Sequence, residues 1–341
     1  MDVIAHIDKA LEAAQMDAVD ILRTFFLLAA ATTVSISLPS SLRDRFLPYG
    51  PRATKTATAP APAPAPSDDA AASCRPDAQA SEPSPAPRHA SRSGILDYLA
   101  TWQVPHSYFT QFYITSVASS IFWAAQLVWR GRIFHAIASR VSEEHSQQSM
   151  ALTQVLICWI LLAIQGSRRL WESFIFAKPS TSKMSIAHWL LGLGFYLAAG
   201  VAIWIEGSGA IQTSRLTLAD FQFTNAPSIR TLVCVPLFLI ASGFQHDCHH
   251  FLFSLKKYTL PDHPLFRGIV CPHYGAECII YLSLTYLAAP PGQVVNKTML
   301  SCLIFVVVNL GLTAQNTKAW YMQKFGREAV QDRWLMIPYL F

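Results

Sequence analysis

Four short stretches of this 341-residue chain concentrate side chains able to do chemistry. One reads Pro272-His273-Tyr274-Gly275-Ala276-Glu277 and runs into an apolar segment that carries no charge. His273 and Glu277 stand four residues apart, so a helix presents both from one face of its opening turns. A second stretch, Gln165-Gly166-Ser167-Arg168-Arg169-Leu170-Trp171-Glu172, offers Arg169 and Glu172 as an i,i+3 pair if the helix continues through them. The third is Gln245-His246-Asp247-Cys248-His249-His250 followed by Lys256-Lys257, with Gln245, His249 and Lys256 recurring on one helical face. The fourth holds Thr317, Lys318, Trp320, Tyr321, Lys324, Arg327 and Arg333 and closes on Ile-Pro-Tyr-Leu-Phe. This mixture suits a ligand with phosphates, sugar hydroxyls and a polar ring: Lys and Arg for phosphate, Gln, His and Glu for ring and sugar. Each stretch alone also reads as an interfacial belt, basic residues marking topology and Tyr, Trp and His sitting at headgroup depth. Carboxylates at a membrane edge are costly and by default functional, which weighs for a site.

A metal is the competing chemistry. His246, Asp247, His249, His250 and His273 include ligand types for zinc, and His246 and His250 are i,i+4. No HExxH arrangement is present and the neighbours Lys256 and Lys257 are cationic, so no metal is expected. The seven cysteines form no CxxC and no paired spacing, and read as small apolar packing residues.

The elements that must position these stretches are helices in a membrane. The chain is 52% hydrophobic and only 14% charged, where a soluble domain carries about a quarter charged residues. Apolar runs near 21–38, 108–129, 150–165, 186–205, 229–245, 273–289 and 294–315 predict an all-α, integral membrane bundle of about seven transmembrane helices. No strand pattern is visible, and no GxGxxG follows a strand, so any nucleotide binds outside a Rossmann fold. Residues 1–47 hold an acidic, amphipathic start and the first apolar run, with no small-residue cleavage site close behind it. Residues 48–93, built around Ala-Pro-Ala-Pro-Ala-Pro, read as a disordered tether without catalytic signal. Residues 94–341 form the remaining six-helix core, with the binding stretches in its C-terminal half. With seven spans, eight of the 26 basic residues fall on one side and eighteen on the other, seven of the latter in the long segment after the first run. Even without those seven the excess remains, which places the second side, the four polar stretches and the C-terminus in the cytosol.

These residues resemble a known family, the steroid 5α-reductase-like membrane reductases, and within it the polyprenol (polyprenal) reductase branch. The resemblance rests on Val104-Pro105, Tyr108-Phe109 and Phe112-Tyr113-Ile114 entering the second helix, and on Gln165-Gly-x-Arg-Arg-x-x-Glu-Ser173. It continues through Gln245, Cys248-His249, Lys256-Lys257, Pro272-His273-Tyr274-x-x-Glu277, Trp320-Tyr321, Arg333 and Ile337-Pro338-Tyr339, over roughly 100–341. It implies a multi-pass endoplasmic-reticulum enzyme with a cytosolic-side NADPH pocket. The enzyme would reduce the α-isoprene double bond of a polyprenyl lipid on the way to dolichol, which N-glycosylation needs. The implied cofactor contacts fall on Arg169, Gln245, His249, Lys256, His273, Tyr274, Glu277, Thr317, Tyr321 and Arg333. The chain departs from the family pattern at Thr317-Lys318-Ala319, where a His usually precedes the aromatic pair, and at Lys256-Lys257, where Arg is common.

Hydride chemistry favours an alkene conjugated to a carbonyl, because the electrons then flow onto oxygen. Polyprenal, reduced to dolichal, is therefore expected as the direct substrate, and the protein must stabilise a developing enolate oxygen. Tyr113 is the first candidate for that contact and Gln111 the second, both expected near a shared face of the second helix. The partners implied are a polyprenyl lipid and the bilayer, with no nucleic acid and no obligate protein partner. The alternatives are an enoyl-CoA or 3-oxo-steroid reductase of the same fold, an isoprenylcysteine methyltransferase, and a non-enzymatic scaffold.

Overall fold

The computed structural model describes residues 15–46, 94, 98, 100–214, 227–256 and 258–340. The Pro/Ala-rich segment expected at 48–93, residues 1–14 and Lys257 lie outside the described residues. Helix α1 (Ala18–Ser37) and a short α2 (Ser40–Phe46) open the described chain. Strand β1 (Gln103–Pro105) leads through a 3-10 turn (His106–Tyr108) into α3 (Phe109–Val128), then α4 (Arg132–Ala138), α5 (Glu143–Gln147) and the long α6 (Leu152–Ile175). Strand β2 (Lys183–Ser185) pairs antiparallel with β1, Val104 opposite Met184, and passes directly into α7 (Ile186–Ile205). The rest is α8 (Ser208–Thr213), α9 (Ile229–Ser254), α10 (Pro264–Arg267), α11 (Pro272–Leu287) and α12 (Lys297–Phe325). The two strands correct the expectation of a chain without any. Three residues each are too few for alternation to register in the sequence.

Helix starts follow local chemistry. Asp17 caps α1 by accepting from Asp20 N–H at 2.9 Å, Asn296 caps α12 by accepting from Met299 N–H at 2.8 Å, and Ser228 caps α9. Pro272 opens α11, where its missing N–H costs nothing. The most extensive helix packing joins α9 to α11, α1 to α12, α3 to α6 and α7, and α11 to α12. Phe26, Phe195, Trp204, Leu284 and Phe305 fill the centre, with the Phe195 and Phe305 rings 5.2 Å apart.

A helix lies at each of the seven expected apolar runs, but several run further than their apolar part. Among the described residues, α1, α7, α9 and α12 are long and apolar enough to cross a membrane. A fifth span results if α3 with its leading turn and α4, bent by 85°, count as one. Helix α6 does not end near 165; it continues through Arg168, Arg169 and Glu172, and those charges dilute its apolarity. Helix α11, at 16 residues, falls short of the roughly 20 that a span needs. Helix α9 likewise runs on to Ser254, and α12 to Phe325.

After α12 the chain turns back at Gly326, whose φ of 92° favours a residue without Cβ. The returning segment bonds onto the strand-like approach to α11: Val270 N–H donates to Trp334 O at 2.8 Å and Cys271 N–H to Leu335 O at 2.9 Å. Its closeness makes Gly275 necessary, since a Cβ there would sit 2.4 Å from Met336 O. The C-terminus thus fixes where α11 begins.

The other end of the bundle is tied by charge. Glu206, at the end of α7 and 4% exposed, accepts from Arg23 Nη2 at 2.8 Å and from Thr298 N–H at 2.9 Å. His145 lies 3.4 Å from Arg23 and 2.6 Å from Asp17. Burial works to raise the Asp17 pKa, but hydrogen bonds from Ser142 N–H, His145 and Asp20 N–H outweigh it and hold it at about 2. Glu206→Gln leaves Arg23 without its buried counter-charge and is expected to destabilise the protein by about 3–5 kcal/mol. A thermal melt in detergent checks this, and an unchanged midpoint would refute it.

Candidate active site

Helical periodicity assembles the site. Gln165, Arg168, Arg169 and Glu172 lie on one stripe of α6, as Ser242, Gln245, His246 and His249 do on α9 and His273 and Glu277 on α11. Where the three helix ends meet, the stripes form one hydrogen-bonded network.

Glu172 is its hub, 2% exposed. Its Oε1 accepts from Arg168 and lies 2.7 Å from His246 Nδ1; its Oε2 accepts from Arg169 and lies 2.8 Å from His249 Nδ1. Arg169 Nη1 is 2.7 Å from the same His249 nitrogen, so that nitrogen either donates to Glu172 or accepts from Arg169. Gln245 links the other carboxylate: its Oε1 accepts from Gln165 Nε2 at 2.9 Å and from Arg168, and its Nε2 donates to Glu277. Gln165 Nε2 reaches Glu277 as well, at 3.2 Å, and Gln165 Oε1 accepts from Arg168 at 2.9 Å and Ser242 Oγ at 3.1 Å. Two guanidinium groups and two carboxylates balance, and both Glu172 oxygens and Oε2 of Glu277 are each engaged twice. Such satisfaction is what makes a buried polar network rigid.

Two cavities meet at this network. The outer one, about 880 Å³, lies between the start of α3, the end of α6 with residues 176–182, and the end of α9. The inner one, about 160 Å³, lies among α3, α7, α9, α11 and α12. Phe109, Tyr113, Arg169 and His249 line both and form the wall between them. Arg169 Nη2 donates to Tyr113 Oη, and the guanidinium sits 4.7 Å above the tyrosine ring. Tyr196 from α7 packs edge-on against Tyr113, their rings 5.8 Å apart, and lines the inner cavity.

The expected residues divide into four groups. Tyr113, Arg169, Gln245, His249, Tyr274 and Glu277 all line the inner cavity. His273 adjoins them, its ring 5.3 Å from His249 and 4.3 Å from Tyr274. Lys256, Thr317, Tyr321 and Arg333 line neither cavity. Lys256 lies past the end of α9, where Leu255 turns extended, so it does not share the helical face of Gln245 and His249. Thr317 bonds back to Thr313 O at 2.8 Å; Tyr321 packs with Tyr274 on Val270 and Cys271. Arg333 donates to Pro261 O and Phe266 O, bracing the chain ahead of α11. Gln111 does not share the face of Tyr113. Two residues apart on a helix means opposite sides, and its Oε1 accepts from Trp189 Nε1 at 2.9 Å. Glu172, Arg168, Gln165, His246 and Tyr196 belong to the site although sequence reasoning did not place them among its binding or catalytic residues. The i,i+3 and i,i+4 spacings of Arg169 and Arg168 to Glu172 were the available signal.

Membrane-length helices, a charge-balanced network at one end of the bundle and two cavities sharing a tyrosine–arginine–histidine wall mark a multi-pass membrane type of protein with a candidate site at that end. Residues 182–341 match the model of the 3-oxo-5-alpha-steroid 4-dehydrogenase family. The chain is 26% identical over 303 residues to polyprenal reductase 1 of Oryza sativa subsp. indica, covering 74% of this chain and 84% of that protein. It is 31% identical over 185 residues to the polyprenal reductase of Saccharomyces cerevisiae, covering 54% and 64%. With the Drosophila melanogaster polyprenal reductase it shares 24% over 282 residues, covering 73% and 81%.

Proposed function

We propose that this protein is an NADPH-dependent polyprenal reductase of the endoplasmic-reticulum membrane. It saturates the α-isoprene double bond of polyprenal to give dolichal, on the route to dolichol for N-glycosylation. The site end of the bundle and the C-terminus face the cytosol, where NADPH is available. The seven helices at the apolar runs, the short α11 among them, sit in the bilayer, and no obligate protein partner is required. The observation that carries the reading is the shared wall. A two-substrate reduction needs both ligands to touch at one place, and two cavities separated by Tyr113, Arg169 and His249 supply it.

The residues present fit a nicotinamide nucleotide. His273 Nδ1 is buried without a hydrogen-bond partner, an orphan position that a polar ligand would satisfy. Gln245, His249, Tyr274 and Glu277 line the inner cavity beside it, an amide, an imidazole, a phenol and a carboxylate for ring and ribose. Arg169 completes this set. When bound, NADPH would supply hydride to the β-carbon, and the α-carbon would take its proton from solvent as the resulting enol reverts to the aldehyde. The protein's own task is to stabilise the negative charge that develops on the aldehyde oxygen and to keep water out. Tyr113 does the first: its oxygen accepts from Arg169, which leaves its own O–H proton to donate to the substrate oxygen. Phe109, Phe112, Phe195 and Phe305 around the inner cavity do the second.

The test is NADPH oxidation by purified protein in nanodiscs, with polyprenal, polyprenol, a trans-2-enoyl-CoA and a 3-oxo-4-ene steroid compared side by side. Polyprenal is expected to exceed each of the others by about tenfold or more in kcat/KM. Preference for the enoyl-CoA or the steroid would reassign the substrate within the same chemistry.

A further inference from the structure

The outer cavity exposes more apolar than polar surface, although Ser107, Thr110, Ser173, Ser180 and Ser182 also line it. Phe109 from α3, Phe176 and Ala177 after α6, and Leu252 and Phe253 from α9 give it apolar walls. Its two cations are already engaged. Arg169 is held by Glu172 and Tyr113, while Lys178 Nζ donates to Leu255 O at 2.6 Å and lies 5.2 Å over the Phe253 ring. A pyrophosphate needs unspent donors, preferably forked guanidinium or free backbone N–H groups. Here the backbone N–H of Phe109, at the mouth of α3, already bonds to His106 O and Ser107 O.

The aromatic surface also continues outward. Phe176 stacks on Phe253 at 5.1 Å and touches Trp171 at 5.9 Å. Trp171 is 52% exposed on α6, with Phe174 at 61% and Ile175 at 52% in the same last turn. An apolar path therefore leads from the shared wall, through the cavity, to the outside of the bundle.

We propose that the outer cavity is the isoprenoid site. Resting on the polyprenal reading above, this gives the two ligands opposite sides of the wall, the cofactor's reactive ring on the inner side and the lipid on the outer. The aldehyde reaches Tyr113 and Arg169. The first isoprene units lie between Phe109 and the Phe176–Phe253 pair, and the rest of the tail leaves over Trp171 into lipid, where burial of apolar surface costs nothing further.

Two measurements in nanodiscs test it. Phe176→Ala and Phe253→Ala are expected to raise KM for polyprenal about tenfold each. The Kd for NADPH, read by fluorescence titration without turnover, stays at the wild-type value. Separately, a diazirine-bearing polyprenyl aldehyde photolabels the wild-type protein, and the label is expected in peptides covering 171–178 and 249–256. A weakened NADPH Kd with unchanged KM for polyprenal would assign the outer cavity to the cofactor and overturn the proposal. Labelling confined to 188–196 and 305–313 would overturn it too, by placing the lipid in the inner cavity. If wild-type protein is labelled at 171–178 and 249–256 yet does not reduce polyprenal, the lipid site stands and the assigned reaction falls. If polyprenal is turned over with the label elsewhere, the reaction stands and the lipid site falls. Should either alanine variant fail to fold, the photolabelling of wild-type protein decides alone.

Discussion

Glu172→Gln is expected to cut polyprenal turnover about 100-fold and to destabilise the protein by about 3–5 kcal/mol. The substitution keeps the side chain's size and removes its charge. Each Glu172 oxygen serves one arginine and one histidine, so a glutamine must turn an NH₂ donor toward one of those pairs. The arginine on that side loses its counter-charge inside a site that is almost wholly protein. Removing one partner from a buried ion pair is costlier than the pair is worth, because the remaining charge is stranded. The consequence for catalysis runs through Arg169. It is pinned between Glu172, His249 and Tyr113, and a displacement of it moves the wall where both ligands meet. Glu172→Asp, which restores the charge on a shorter stem, is expected to recover part of the turnover. Thermal melts and steady-state kinetics on the three proteins check the pattern, and a glutamine variant with wild-type turnover and melting midpoint would refute it.

How far the site was legible in the sequence depended on the distance over which each partner is found. Within one helix the spacing sufficed. Arg169 and Glu172 at i,i+3, Gln245 and His249 at i,i+4, and His273 and Glu277 at i,i+4 all land where periodicity puts them. The helix boundaries were less visible, because polar residues inside a helix look like its end. Helix α6 continues past its apolar run through Gln165 and Arg168, whose amide and guanidinium groups find partners in Ser242, Gln245 and Glu277 of α9 and α11. Conversely, α9 stops one residue before Leu255, so Lys256 leaves the face on which the periodicity had set it.

Partners remote in sequence could not be read at all. Nothing local marks Trp189 as the donor that occupies Gln111, or Pro261 and Phe266 as the carbonyls that hold Arg333. The same holds for Gly275, whose need for a missing Cβ comes from Met336 folding back across α11. Membrane spans suffer from a related ambiguity. Composition measures how apolar a helix is, while Arg168, Arg169 and Glu172 show charged groups that the fold neutralises among themselves before they meet lipid.

Tyr113→Phe should lower kcat about 10²- to 10³-fold and leave NADPH affinity near the wild-type value. The hydroxyl is the one donor on the shared wall whose oxygen is already polarised by a guanidinium, through Arg169 Nη2. Hydrogen bonding from Arg169 makes that proton a better donor to an oxygen gaining negative charge, while in the ground state the aldehyde gains little from it. The effect therefore belongs in kcat more than in KM. Gln111→Ala, by contrast, is expected to stay within about twofold of wild type, since its amide is spent on Trp189 across α3 from the wall. The decisive comparison is the double variant Glu172→Gln with Tyr113→Phe. If Glu172 acts on the reaction by holding Arg169 against Tyr113, the two losses share a cause, and the double variant should lose little more than the worse single one. Fully additive losses would mean that Glu172 supports the fold alone and that Tyr113 works without the arginine behind it.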